Sequence, residues 1–136
     1  MESEETLKKR NLKILVVDDS PDNSNLLGLY LRKYSSSVEI ALNGQEALSK
    51  VQTHTYDIIL MDIQMPEMDG YTATKLIRKW EVENKRPPLF IIACTAHALD
   101  DDKFKSLNAG CDDYLAKPIS KTSLINKLLE FLDRQH

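Results

Sequence analysis

Short apolar runs without alternation recur along the chain, each followed by a segment striped at helical spacing. Ile14–Val17 is the first run, Val38–Leu42 the second, Ile58–Met61 the third, Leu89–Cys94 the fourth and Tyr114–Ala116 a shorter fifth. A run that is apolar throughout predicts a strand buried on both faces, where alternation would predict burial on one. Ser20-Pro21 offers a capping hydroxyl and a proline at the first helical position, and Leu26, Leu27, Tyr30, Leu31 and Tyr34 follow on one face. Asn43-Gly44 leads into a helix carrying Ala47, Leu48 and Val51. Pro66 and Asp69-Gly70 break the chain before a third helix marked by Ala73, Leu76, Ile77 and Trp80, which Pro87-Pro88 closes. A fourth helix is expected from Ala98 to Ala109, with Asp100, Asp101 and Asp102 in its first turn, where negative charge suits the helix dipole, and Gly110 just past its end. Leu124, Ile125, Leu128, Leu129 and Leu132 stripe the last helix.

Strands and helices that alternate strictly, with short connections, predict an α/β fold with a parallel sheet covered on both faces. No internal repeat or low-complexity segment interrupts it. Met1–Arg10 is charged and non-periodic, so residues 1–11 read as a flexible, solvated arm and 12–134 as the domain.

Composition narrows the function classes. The 136 residues, 42% of them hydrophobic, correspond to one domain able to bury roughly 68% of its unfolded surface. With 18 basic and 21 acidic residues the net charge is −3, and no basic stripe is visible, so a nucleic-acid partner is not expected. The longest apolar stretches are strand-sized, and Met1–Arg10 lacks the apolar segment of a signal peptide, so no membrane association is expected. Cys94 and Cys111 cannot make a disulfide framework; they read as small core residues in a reducing cytoplasm.

In open α/β sheets, ligands bind outside the carboxyl ends of the strands. The residues that end these strands are Asp18-Asp19, Asp62, Thr95 and Lys117; the second strand ends blandly at Leu42-Asn43. Three carboxylates, a hydroxyl and an ammonium would converge on one rim. Carboxylates about 5 Å apart repel by roughly 3 kcal/mol at an effective dielectric near 20, so three of them call for a counter-charge. Lys117 supplies one, and a divalent cation would supply the rest. Oxygen-only ligands suit Mg²⁺ rather than zinc, and no Cys/His cluster or HExxH motif competes. A cation held by carboxylates beside a lysine and a threonine is the apparatus of phosphoryl transfer, in which one carboxylate can itself be the nucleophile. Asp62 is the candidate.

These segments resemble a known family. Ile14–Ser20 (ILVVDDS), Met61–Gly70 (MDIQMPEMDG), Thr95-Ala96 and Tyr114–Pro118 (YLAKP) look like the receiver domain of two-component response regulators, from about Lys13 to Leu132, and most like receivers of hybrid histidine kinases. The resemblance implies a flavodoxin-like (βα)5 three-layer sandwich with a five-stranded parallel sheet of order 2-1-3-4-5. It implies that Asp62 is the phosphoacceptor, that Asp19 ligates Mg²⁺ directly (with Mn²⁺ as a substitute) and Asp18 through water, and that the Gln64 carbonyl is a third protein ligand. Thr95 matches the switch hydroxyl, Lys117 the phosphate-binding lysine, usually followed by a cis peptide bond to proline, and Tyr114 the aromatic whose rotamer follows phosphorylation. Gln64 and His97 match positions that tune dephosphorylation. The implied partners are a histidine kinase or histidine phosphotransfer protein and a downstream protein, with the chain a monomer or weak dimer in the cytoplasm and not a turnover enzyme.

Each residue has a plainer reading. Adjacent acids after a strand often only cap a helix, Lys117 alone is a surface lysine before a turn, Thr95 an ordinary strand residue and Tyr114 core packing. The register of all four strand ends outweighs those readings. A phosphatase of the haloacid-dehalogenase type wants Asp-x-Asp after the first strand, which Asp18-Asp19-Ser20 does not supply, and no large cap domain fits. A flavodoxin-like cofactor binder needs a Gly- or Ser/Thr-rich phosphate loop there, where this chain has two carboxylates.

Overall fold

The computed structural model describes residues 3–96 and 100–135. Its elements are α1 (Glu4–Arg10), β1 (Lys13–Val17), α2 (Pro21–Leu31), β2 (Ser37–Ala41), α3 (Gly44–Thr53), β3 (Ile58–Asp62), α4 (Gly70–Glu83), β4 (Phe90–Thr95), α5 (Asp100–Ala109), β5 (Asp113–Ala116) and α6 (Lys121–Arg134). The five strands form one sheet of order β2-β1-β3-β4-β5, and every neighbouring pair is parallel. This is the expected flavodoxin-like arrangement. The stretch 97–99, where the fourth expected helix was to begin, lies outside the described residues, as do the side chains of Asp100–Asp102.

Apolar residues fill both sides of each central strand, and their parity sorts them. Ile14, Val16, Ile58, Leu60, Ile92 and Cys94 meet Leu27 and Leu31 of α2 and Leu124, Leu128 and Leu132 of α6 on one face. Leu15, Val17, Ile59, Met61, Ile91 and Ala93 meet Ala47 and Val51 of α3 and Ala73 and Ile77 of α4 on the other. Side chains alternate faces along a strand, so an uninterrupted apolar run feeds two cores at once.

Strand β4 starts at Phe90, one residue later than the apolar run. The backbone of Leu89 is taken by side chains instead: its N–H donates to Glu81 (2.7 Å) and its carbonyl accepts from Arg78 (2.7 Å). Arg78 also donates to Gly110 O, Glu81 and Asp112, so one guanidinium ties α4 to the turn before β5. β2 ends at Ala41, whose carbonyl accepts from Asp18 N (3.0 Å), and Leu42 is left exposed.

The N-terminal segment differs from the expected solvated arm. Ser3 caps α1 by accepting from Thr6 N, Asn11 ends it in the left-handed region (φ 45°), and Leu7 is 1% exposed among Leu12, Leu31, Tyr34 and Ile125. The Asn11 side chain bonds Ser36, and the Tyr34 hydroxyl donates to Glu4, so polar contacts fasten both ends. A seven-residue helix turns a single leucine inward, which leaves no period to read. Leu7→Ala is expected to destabilise the fold by about 2 kcal/mol, the low end for a buried leucine because a terminal helix can settle into the gap. Urea unfolding checks this; a change of under about 0.5 kcal/mol, the range of surface substitutions, would show α1 to be dispensable.

Candidate functional site

The carboxyl rim of the sheet gathers what the strand ends promised. Asp18 follows β1 and is buried; its Oδ1 accepts from Ser20 N (2.9 Å), while Ser20 Oγ accepts from Asn23 N to cap α2. Asp19 is exposed beside it. Asp62 is the last residue of β3, with its side chain 2% exposed. Carboxylate oxygens of Asp18, Asp19 and Asp62 lie within 4.8 Å of one another.

Lys117 follows β5 and reaches Asp62 Oδ1 at 2.7 Å; its peptide bond to Pro118 is cis. The Gln64 backbone N–H donates to the same oxygen at 3.2 Å. Among the described residues Asp62 Oδ2 takes no hydrogen bond. Thr95 ends β4 and is 1% exposed. Its hydroxyl accepts from Gln64 Nε2 (3.2 Å), and the next backbone amide, Ala96 N–H, donates to Gln64 Oε1 (3.2 Å). Tyr114 stands three residues before Lys117, half-buried, with the ammonium groups of Lys103 and Lys127 5.0 and 5.6 Å from its ring centre. His97 lies outside the described residues.

Charge is out of balance here. Burial pushes the Asp62 carboxyl above its ordinary value; the bond and charge of Lys117 pull it back without cancelling the shift, and Asp18 adds to it. Burial pulls the Lys117 ammonium down, but the bond to Asp62 and the charges of Asp62 and Asp18 outweigh it, and its net shift is upward. The directions have different origins: burial dominates at Asp62, whereas at Lys117 one ammonium faces more than one carboxylate. A small divalent cation among the three carboxylates would correct this, and an all-oxygen donor set fits Mg²⁺.

Sequence reasoning singled out Gln64 but not its side chain's bridge to Thr95 and Ala96. No sequence signal carries that bridge, since half of it is a backbone amide. In the sequence Gly70 marks only a turn. A Cβ placed there would stand 2.3 Å from the Asp62 carbonyl oxygen, so the bare Cα lets α4 begin against the end of β3.

The family profile described as response regulator receiver domain matches residues 14–129. The chain belongs to this family. Among similar proteins, the receiver is 44% identical over 130 residues to the sensor histidine kinase GacS of Pseudomonas protegens, covering 96% of this chain and 14% of that one. The first three curated relatives it matches are far longer; the receiver spans between 3% and 14% of their length. Two solved receivers share its fold. One is the receiver domain of Saccharomyces cerevisiae Ssk1, co-crystallised with the histidine phosphotransfer protein Ypd1 (36% identity, TM-score 0.87, 92% of this chain and 91% of that). The other is the receiver domain of the sensor histidine kinase PA1611 of Pseudomonas aeruginosa, with a magnesium ion coordinated in its active-site cleft (36% identity, TM-score 0.78, 90% and 98%). The chain is therefore a receiver, a signalling domain of two-component and phosphorelay systems. No helix among the described residues is long and apolar enough to cross a membrane.

Proposed function

We propose that this receiver is a phosphoacceptor switch in which Asp62 takes a phosphoryl group from a phosphohistidine. The observation that carries the reading is the buried Asp62 carboxylate, tied through Oδ1 to Lys117 and Gln64 N while Oδ2 takes no hydrogen bond among the described residues. An oxygen held still by two donors orients its twin for in-line attack. As the new O–P bond forms, the P–N bond to the donor imidazole breaks; the imidazole nitrogen keeps the electron pair and is protonated. Lys117 and Thr95 receive the peripheral phosphoryl oxygens, which gather charge in the transition state.

Asp18, Asp19, Asp62 and the Gln64 carbonyl would hold Mg²⁺, or Mn²⁺ in its place, which when bound neutralises carboxylate and phosphoryl charge. The acyl phosphate adds close to two negative charges and three acceptor oxygens. Thr95 moves toward them and Tyr114 turns inward behind it, altering a face read by a downstream protein. Gln64 and His97 tune the return to the resting state. The domain spans 12–134 with α1 fastened to it, works in the cytoplasm as a monomer or weak dimer, and meets a histidine kinase or histidine phosphotransfer protein.

Incubation with acetyl phosphate and Mg²⁺, followed by mass spectrometry with the modified residue mapped, tests this. One labelled aspartate, Asp62, is expected, and no label after chelation of the metal. Label elsewhere, or steady turnover of small phosphate esters, would refute the assignment.

A further inference from the structure

We infer that the Gln64 side chain is a resting-state blocker: anchored on the Thr95 hydroxyl, it occupies the Ala96 amide just past β4 that a phosphoryl group on Asp62 must use. The inference rests on the phosphoacceptor reading of Asp62. β3 and β4 are neighbours with Asp62 paired to Cys94, so Thr95 and Ala96 follow one and two residues further along, one strand spacing of about 4.8 Å across from the β3 end. A hydroxyl and a strand-end backbone N–H side by side form a natural seat for an anionic oxygen. In the resting protein both are engaged by one carboxamide.

The direction of those bonds gives the device its logic. A backbone N–H can only donate, so the Gln64 oxygen must face Ala96, which leaves the NH₂ group to donate to Thr95. Thr95 therefore serves Gln64 as an acceptor. A phosphoryl oxygen only accepts; the Thr95 hydroxyl can donate to it while still accepting from Gln64, but the single Ala96 N–H must leave Gln64 to reach it. At Ala96 the two partnerships exclude each other. Gln64 is otherwise exposed, so on release its amide has water to go to. Release also uncouples the β3–α4 loop from the β4–α5 loop, giving the switch two discrete arrangements rather than a continuum.

Gln64→Met separates bonding from bulk, because methionine keeps the length and loses both polar ends. The experiment measures equilibrium binding of beryllofluoride, a phosphoryl mimic, by fluorine NMR at saturating Mg²⁺, and the exchange rate of the Ala96 amide proton without beryllofluoride. Loss of the one hydrogen bond that competes for Ala96 should tighten beryllofluoride binding about fivefold in Gln64→Met. The Ala96 amide should exchange faster in the variant than in the parent protein. Binding that is equal or weaker, or an Ala96 amide whose exchange is unchanged, overturns the blocker while leaving the phosphoacceptor reading intact. A parent protein that takes neither beryllofluoride nor phosphoryl from acetyl phosphate overturns both.

Discussion

Asp62→Asn is expected to abolish phosphoryl incorporation and, in metal-free protein at neutral pH, to make the fold more stable. The first effect is chemical: a neutral carboxamide has no carboxylate oxygen to form an acyl phosphate, so labelling falls to background instead of slowing. The second follows from the burial of Asp62. Burial holds the native Asp62 carboxyl above its ordinary value of 3.8, with Lys117 offsetting only part of the shift. An acid raised in this way favours the fold most when protonated, below pH 3.8, and that advantage is lost as pH rises through the native value. At neutral pH the parent protein therefore carries an unfavourable ionisation that the asparagine lacks. The gain should be on the order of 1 kcal/mol, since Lys117 loses a partner yet keeps Asp18 and some water nearby. The difference should close on acidification, and Mg²⁺ should narrow it by stabilising the parent. Urea unfolding at neutral and acid pH, with and without metal, reads all of this. An asparagine variant that is less stable at neutral pH would show that the Lys117 pair, not burial, governs the site.

Gly70→Ala should cost at least about 3 kcal/mol, toward the upper end for overpacking, and slow phosphorylation of the molecules that still fold. The added Cβ would meet the Asp62 carbonyl oxygen at 2.3 Å and the Ile63 Cα at 2.8 Å. Both obstacles are backbone at the end of a central strand or one residue past it, and Gly70 N is itself bonded to Ile63 O at 3.0 Å, so neither side can swing away. Relief has to come from shifting the end of β3, which carries the nucleophile. A displacement near 1 Å is enough to slow a positioned reaction about 100-fold. Gly44→Ala is the control. Its Cβ would meet chiefly the sulfur of Met68 at 2.8 Å, the far end of a flexible side chain, and the Ala73 Cβ at 3.0 Å. It should cost clearly less and leave labelling near the parent rate. Equal costs for the two substitutions would mean that the chain end at Asp62 yields more easily than its place in the sheet implies.

The fold was legible because burial on two sides leaves a mark in one dimension. Runs such as Ile58–Met61 fit neither an amphipathic helix nor a half-exposed strand, and the caps at Ser20, Asn43 and Asp69 sit where the helices begin. The strand ends were legible for the same reason: once a strand is located, the residue after it is placed at the rim. Boundaries slipped where side chains took over backbone groups, as Arg78 and Glu81 do at Leu89, a competition settled by residues distant in the chain. Helix α1 escaped notice because one inward leucine makes no pattern.

The order of residues along the chain thus determined the alternation of strands and helices and the set of polar groups that end the strands, since both are local consequences of periodicity and capping. Only the folded molecule decided how those groups divide their bonds: that Lys117 and Gln64 N share one oxygen of Asp62, that Gln64 spans from Thr95 to Ala96, and that Gly70 must be bare. Distances of a few ångströms between segments tens of residues apart depend on how sheet and helices pack, and no local pattern encodes them.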